Sequence, residues 1–83
     1  MRIESIIYIK ELLEAETIAK KKAWKKAGEI LDEKEQEAGV QWNTPDSKVD
    51  DNIRLYRSIK ENKRKAFTEA QDALEDFMRK EWN

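Results

Sequence analysis

The sequence predicts an all-α protein: two long antiparallel helices forming a helical hairpin, or coiled coil, that dimerises into a four-helix bundle. Three observations carry this prediction. The only proline, Pro45, and one of the two glycines, Gly39, fall at the midpoint of 83 residues. The runs on either side are free of proline, and apolar residues recur in each at three- and four-residue spacing. Folding the chain at its centre also sets the two apolar stripes against each other along their whole length.

Residues 3–38 form the first helix. They are rich in Ala, Glu, Lys and Leu, which give up little side-chain freedom on entering a helix. Ile6, Ile9, Leu13, Trp24, Ala27, Leu31 and Ala38 share one face, widened by Leu12, Ala23 and Ile30. Glu16 and Lys20 interrupt that face, four apart and in the order helices favour. Gly28 costs the helix about 1 kcal/mol relative to alanine, and tolerance, or room for Tyr56 or a neighbouring subunit, accounts for it. Gly39 is a stop signal. Residues 39–46 form the turn, with Trp42 at its centre.

The second helix runs from about 45 to 82. Thr44 can cap it, with Pro45 in the first helical position. Ser47 with Asp50 three residues on is the other choice, so the start falls within 44–48. Asp46, Asp50 and Asp51 suit the positive end of the helix dipole. The second stripe is Val49, Ile53, Tyr56, Ile59, Ala66, Ala70, Ala73, Leu74, Phe77 and Met78, with Lys63 in its middle and Phe67 on its shoulder. The whole chain, 1–83, reads as a single domain.

A turn centred on Trp42 sets the register. Leu31 then faces Ile53, Ala27 faces Tyr56, Trp24 faces Ile59, Leu13 faces Ala70, Ile9 faces Leu74, and Ile6 faces Phe77 and Met78. One seam leaves little apolar burial to offset the conformational entropy of ordering the chain. Ile3, Ile7 and Ile18 lie away from the main stripe, and Leu55 and Trp82 at its margins. Ile3, Ile7, Ile18, Leu55 and Trp82 are therefore the expected oligomer interface, and a homodimer the expected assembly.

Charged residues make up 42% of the chain, but seventeen bases and eighteen acids leave a net charge of −1. The charge is segregated by level. Lys20, Lys21, Lys22, Lys25 and Lys26 form one cluster; Arg54, Arg57, Lys60, Lys63, Arg64 and Lys65 form another, and the hairpin sets them side by side. Three readings stay open: lysines splayed into water, pairing with acidic arms of a second subunit, or a polyanion such as nucleic acid. For the last, Lys21, Lys22, Lys25, Lys26, Arg57, Lys60, Arg64 and Lys65 are the candidates. Trp24 belongs to the apolar stripe and is assigned to the core. Lys20 and Lys63 lie within their stripes, with Glu16 and Glu61 available to neutralise them.

The chain has no cysteine and no histidine. Disulfides, thiolate metal sites and histidine-dependent nucleophiles are thereby excluded. Glu11 with Glu14 and Glu33 with Glu37 read as solvated faces, and the two glycines make no phosphate loop. No catalytic, cofactor or metal site is expected, and no enzyme activity. No apolar run reaches the length of a bilayer span, and Arg2–Ile9 is too short and too charged for a signal peptide. The expectation is a cytoplasmic, non-enzymatic module that self-associates and offers a helical surface to a protein partner. The alternative is a nucleic-acid-binding accessory protein using the basic belt.

With Trp42 at the central turn, the architecture is similar to that of the WXG100 family, small secreted hairpins that dimerise as four-helix bundles. Phe77 and Glu81 loosely resemble that family's C-terminal Tyr-x-x-x-Asp/Glu signal. Asn43 and Thr44 follow Trp42, so the family's Trp-x-Gly is absent. The resemblance implies a third possibility, export without a leader. The small, charged hairpin is also similar in style to many bacterial and prophage accessory proteins.

Overall fold

The computed structural model describes residues 2–80. Two helices pack against each other: α1, Ile3–Ala38, and α2, Asp51–Arg79. Among the described residues there is no strand. The hairpin is a rod of 56 × 18 × 15 Å with a radius of gyration of 17.7 Å, against about 12 Å for a compact chain of this length. No helix of the described chain is long and apolar enough to cross a membrane.

α1 ends where the sequence places its stop. Gly39 adopts φ 69°, ψ 25°, in the left-handed region. Its N–H donates to the Gln36 carbonyl, and the Val40 N–H donates to the Glu35 carbonyl at 2.8 Å. The last carbonyls of the helix are thus satisfied by the chain that reverses away from them.

α2 starts later than the sequence suggests. Neither Thr44–Pro45 nor Ser47 caps it. Pro45 is extended, Asp46–Lys48 make a single 3-10 turn, and Val49 is extended again at φ −113°, ψ 159°. Asp50 is the cap, and its Oδ1 accepts the Ile53 N–H at 2.9 Å. Two physical reasons favour this start. Val49 is buried, and the extended backbone there carries it under the hairpin. Aspartate also accepts the free N–H groups of a first turn more strongly than threonine does.

The late start moves the register. Gly28 lies against Lys60, where a fold centred on Trp42 sets residue 56. The displacement is four residues, about one helical turn. Trp24 accordingly stacks on Phe67, ring centroids 5.6 Å apart and planes 22° apart, rather than meeting Ile59. Part of that offset comes from side chains leaning toward their own helix N-terminus, which in an antiparallel pair raises the numbers of touching residues. Thr17 marks a close approach of the helices. Its hydroxyl bonds the Leu13 carbonyl at 2.8 Å and lies 3.3 Å from the Ala70 carbonyl across the seam.

The core of the hairpin is thin: Ala27, Leu31, Val49, Ile53 and Phe77, with Glu35 as its one buried charged residue among those described. Phe67, read as a shoulder residue, belongs to the seam. Ile59 and Met78, read as stripe residues, are exposed, as is Ala73.

Candidate interaction surfaces

The turn end is held by one side chain. Arg57 donates to the Glu35 carboxylate at 3.1 Å, to Asp46 at 2.8 Å, and to the carbonyls of Thr44 and Gln41. Its side chain is 16% exposed and that of Glu35 7%. The planar fork of arginine satisfies four acceptors from three stretches of chain at once. The hydrogen bond to Asp46 does most to hold the guanidinium pKa above its ordinary value, burial opposes it, and Glu35 adds to it. This is a clamp, so Arg57 is withdrawn from the basic belt.

The rest of the belt divides. Arg64 grips Glu61 through two hydrogen bonds, 3.0 and 2.6 Å. That contact holds the Glu61 carboxyl below its ordinary value and the Arg64 guanidinium above its own. Glu61 therefore neutralises Arg64, not Lys20 or Lys63. Lys60 is half-buried with its stem against Gly28; Tyr56 is not the neighbour of that glycine. Arg54 pairs with Asp51 and donates to the Val49 carbonyl. Lys21, Lys22, Lys25, Lys26 and Lys65 are exposed and make no ion pair among the described residues. The cationic surface thus reduces to the α1 lysines with Lys63 and Lys65, and Trp24 is half-buried with its ring stacked on Phe67 in the seam.

Of the expected oligomer residues, the four described ones do not form one patch. Ile3, Ile7, Ile18 and Leu55 are all exposed. By helical phase Ile3 points about 180° from Leu12, and Ile7 about 140° from it. Ile18 is about 140° from Ala23, whereas Leu55 lies on the α2 flank one turn before Ile59. Trp82 lies outside the described residues. Other large apolar side chains are exposed too: Tyr8, which the sequence left unassigned; Leu12, Ile59 and Met78, which it placed in the stripes; and Trp42, which at 85% stands clear of the turn.

Two of these, Leu12 and Ile59, belong to one face. A groove of about 300 Å³ runs between the helices, lined by Ala23, Ala27, Ile30, Tyr56 and Ile59, with Lys26 and Lys63 also on its walls. Leu12 and Ala19 share the phase of Ala23 and Ile30 on α1, since spacings of four and seven return to one face. The signal was present in the sequence as a second apolar line beside the seam. It is not separable there from a broad core stripe, because one helix face cannot be divided into buried and exposed halves without a register.

No group of three or more acidic ligands assembles among the described residues. Comparison with protein-family models, with curated proteins and with solved structures finds no match to this chain.

Proposed function

We propose that this protein is a non-enzymatic hairpin that self-associates, and that acts by presenting a helical surface to a protein partner. The observation that carries this reading is its uncovered apolar surface. The chain exposes 6581 Å², against about 5,200 Å² for a compact chain of 9.9 kDa. A rod this thin exposes surface of every kind; within it Leu12 on α1 and Ile59 on α2 are exposed beside or within one apolar groove, and apolar surface of that kind marks a contact site. Sedimentation or light scattering at micromolar concentration tests the proposal. A mass near twice 9.9 kDa supports it; a well-folded monomer at all concentrations overturns it.

A second reading, polyanion binding, draws support from the exposed Lys21, Lys22, Lys25, Lys26 and Lys65, which make no ion pair among the described residues. Retention on heparin that falls when the four α1 lysines become Gln favours it. Passage without retention at low salt removes it.

A further inference from the structure

We propose that two copies of this chain pack antiparallel through the groove face, about a twofold axis crossing α1 at the level of Lys21. Leu12 of each copy then enters the groove of the other, and Glu16 meets Lys26 and Lys63 of the partner subunit. This inference rests on the self-association reading above and names the surface it uses.

The argument begins with one line of α1. Leu12, Glu16, Ala19, Ala23, Lys26 and Ile30 follow each other at alternating spacings of four and three. That is a coiled-coil stripe, and it lies beside the intramolecular seam rather than in it. Ala23, Lys26 and Ile30 line the groove; Leu12, Glu16 and Ala19 continue the line onto exposed surface.

Read backwards, the stripe complements itself. A twofold axis at the level of residue 21 sets Leu12 against Ile30, Glu16 against Lys26 and Ala19 against Ala23, and each pairing occurs twice, as an isologous interface requires. One placement of one axis satisfies all three pairs. Leu12 is about half exposed and reaches the level where Ile30, Tyr56 and Ile59 leave the groove open.

Charge selects the same orientation. Glu16, Lys26 and Lys63 make no ion pair among the described residues. Antiparallel packing sets the acid of each copy between two cations of the other. Parallel packing in register sets Glu16 on Glu16 and Lys26 on Lys26, which like-charge repulsion disfavours. The surface left uncovered is sufficient, since a standard interface removes about 800 Å² from each partner and the chain exposes roughly 1,400 Å² more than a compact one of its mass.

The test is sedimentation of the full chain and four variants, with circular dichroism to follow the fold. Leu12→Glu and Glu16→Lys change exposed positions, so helicity is expected to persist while the dimer Kd rises by about tenfold or more. Combining Glu16→Lys with Lys26→Glu restores opposite charges across the axis and is expected to recover dimerisation. Rescue by the double variant is the decisive support. A dimer that survives both single variants, or fails to recover in the double variant, overturns this arrangement while leaving self-association in place; dissociation by Ile7→Asp instead moves the contact to the other side of α1. A wild-type monomer overturns both readings together.

Discussion

The guanidinium of Arg57 and the carboxylate of Glu35 meet at 3.1 Å across the two helices, with both side chains largely shielded from water. The same guanidinium also holds Asp46 and two carbonyls of the connection. A charge pair at this depth is costly to break from one side, because the remaining charge stays buried without its partner. Arg57→Ala is expected to destabilise the hairpin by about 3 kcal/mol, and Arg57→Lys by less, since a lysine reaches fewer of the four acceptors. Urea unfolding followed by circular dichroism reads both. Arg57 is held above its ordinary pKa, so its contribution is fully present below the unfolded value and is lost only as pH rises through the higher folded value. From the arginine side the clamp is insensitive to pH across the neutral range; a loss of the Arg57-dependent stability between pH 7 and 9 contradicts this.

The stacking of Trp24 on Phe67 makes the register testable. Phe67→Ala removes a half-buried ring and its partner contact, and is expected to cost about 2 kcal/mol, below the range for fully buried phenylalanine. Ile59→Ala, at an exposed groove position, is expected to cost under about 1 kcal/mol in the monomer. A register centred on Trp42 reverses that order. Measuring both at submicromolar protein keeps dimerisation from contributing.

The two glycines are expected to respond oppositely. A Cβ on Gly28 meets only the Lys60 stem, at an ordinary 3.5 Å, so Gly28→Ala should stabilise α1 by up to about 1 kcal/mol. Gly39 has φ 69°, and an alanine there is strained by roughly 1 kcal/mol or more. Thermal melts of the two variants should shift in opposite directions.

Asp50→Ala is expected to cost about 1 kcal/mol by removing the acceptor for the Ile53 N–H. Thr44→Ala should be near neutral, because Thr44 serves Arg57 through its backbone carbonyl. A larger loss at Thr44 than at Asp50 shows that α2 begins earlier than Asp51.

The Glu61 carboxyl, held down chiefly by the Arg64 hydrogen bond, should titrate below its ordinary value of 4.5 in a carboxyl-detected NMR titration, and return toward it in Arg64→Gln. A depressed value means that the pair's contribution is present above the unfolded pKa and lost as pH falls through the folded one. Both side chains are well exposed, so unfolding curves should change little.

The sequence by itself determined the helices. Apolar spacing and the run of strong helix formers specify α1, and Gly39 specifies its end, because helical hydrogen bonds and capping are settled within four or five positions of chain. It also determined that the chain turns back near its middle. Only the tertiary structure decided which residues face each other. Burial of extended Val49 and the cap at Asp50 delay α2, and with that delay the contacts across the helices are displaced by about one to two turns. Trp24 therefore finds Phe67, Arg57 becomes a clamp on Glu35, and the line from Leu12 to Ile30 is left at the edge of the seam. Such matches join residues 22 to 53 apart in sequence. Local propensity is nearly indifferent to a slip of one turn, so the packing of the connection decides between registers that the helices alone would accept equally well.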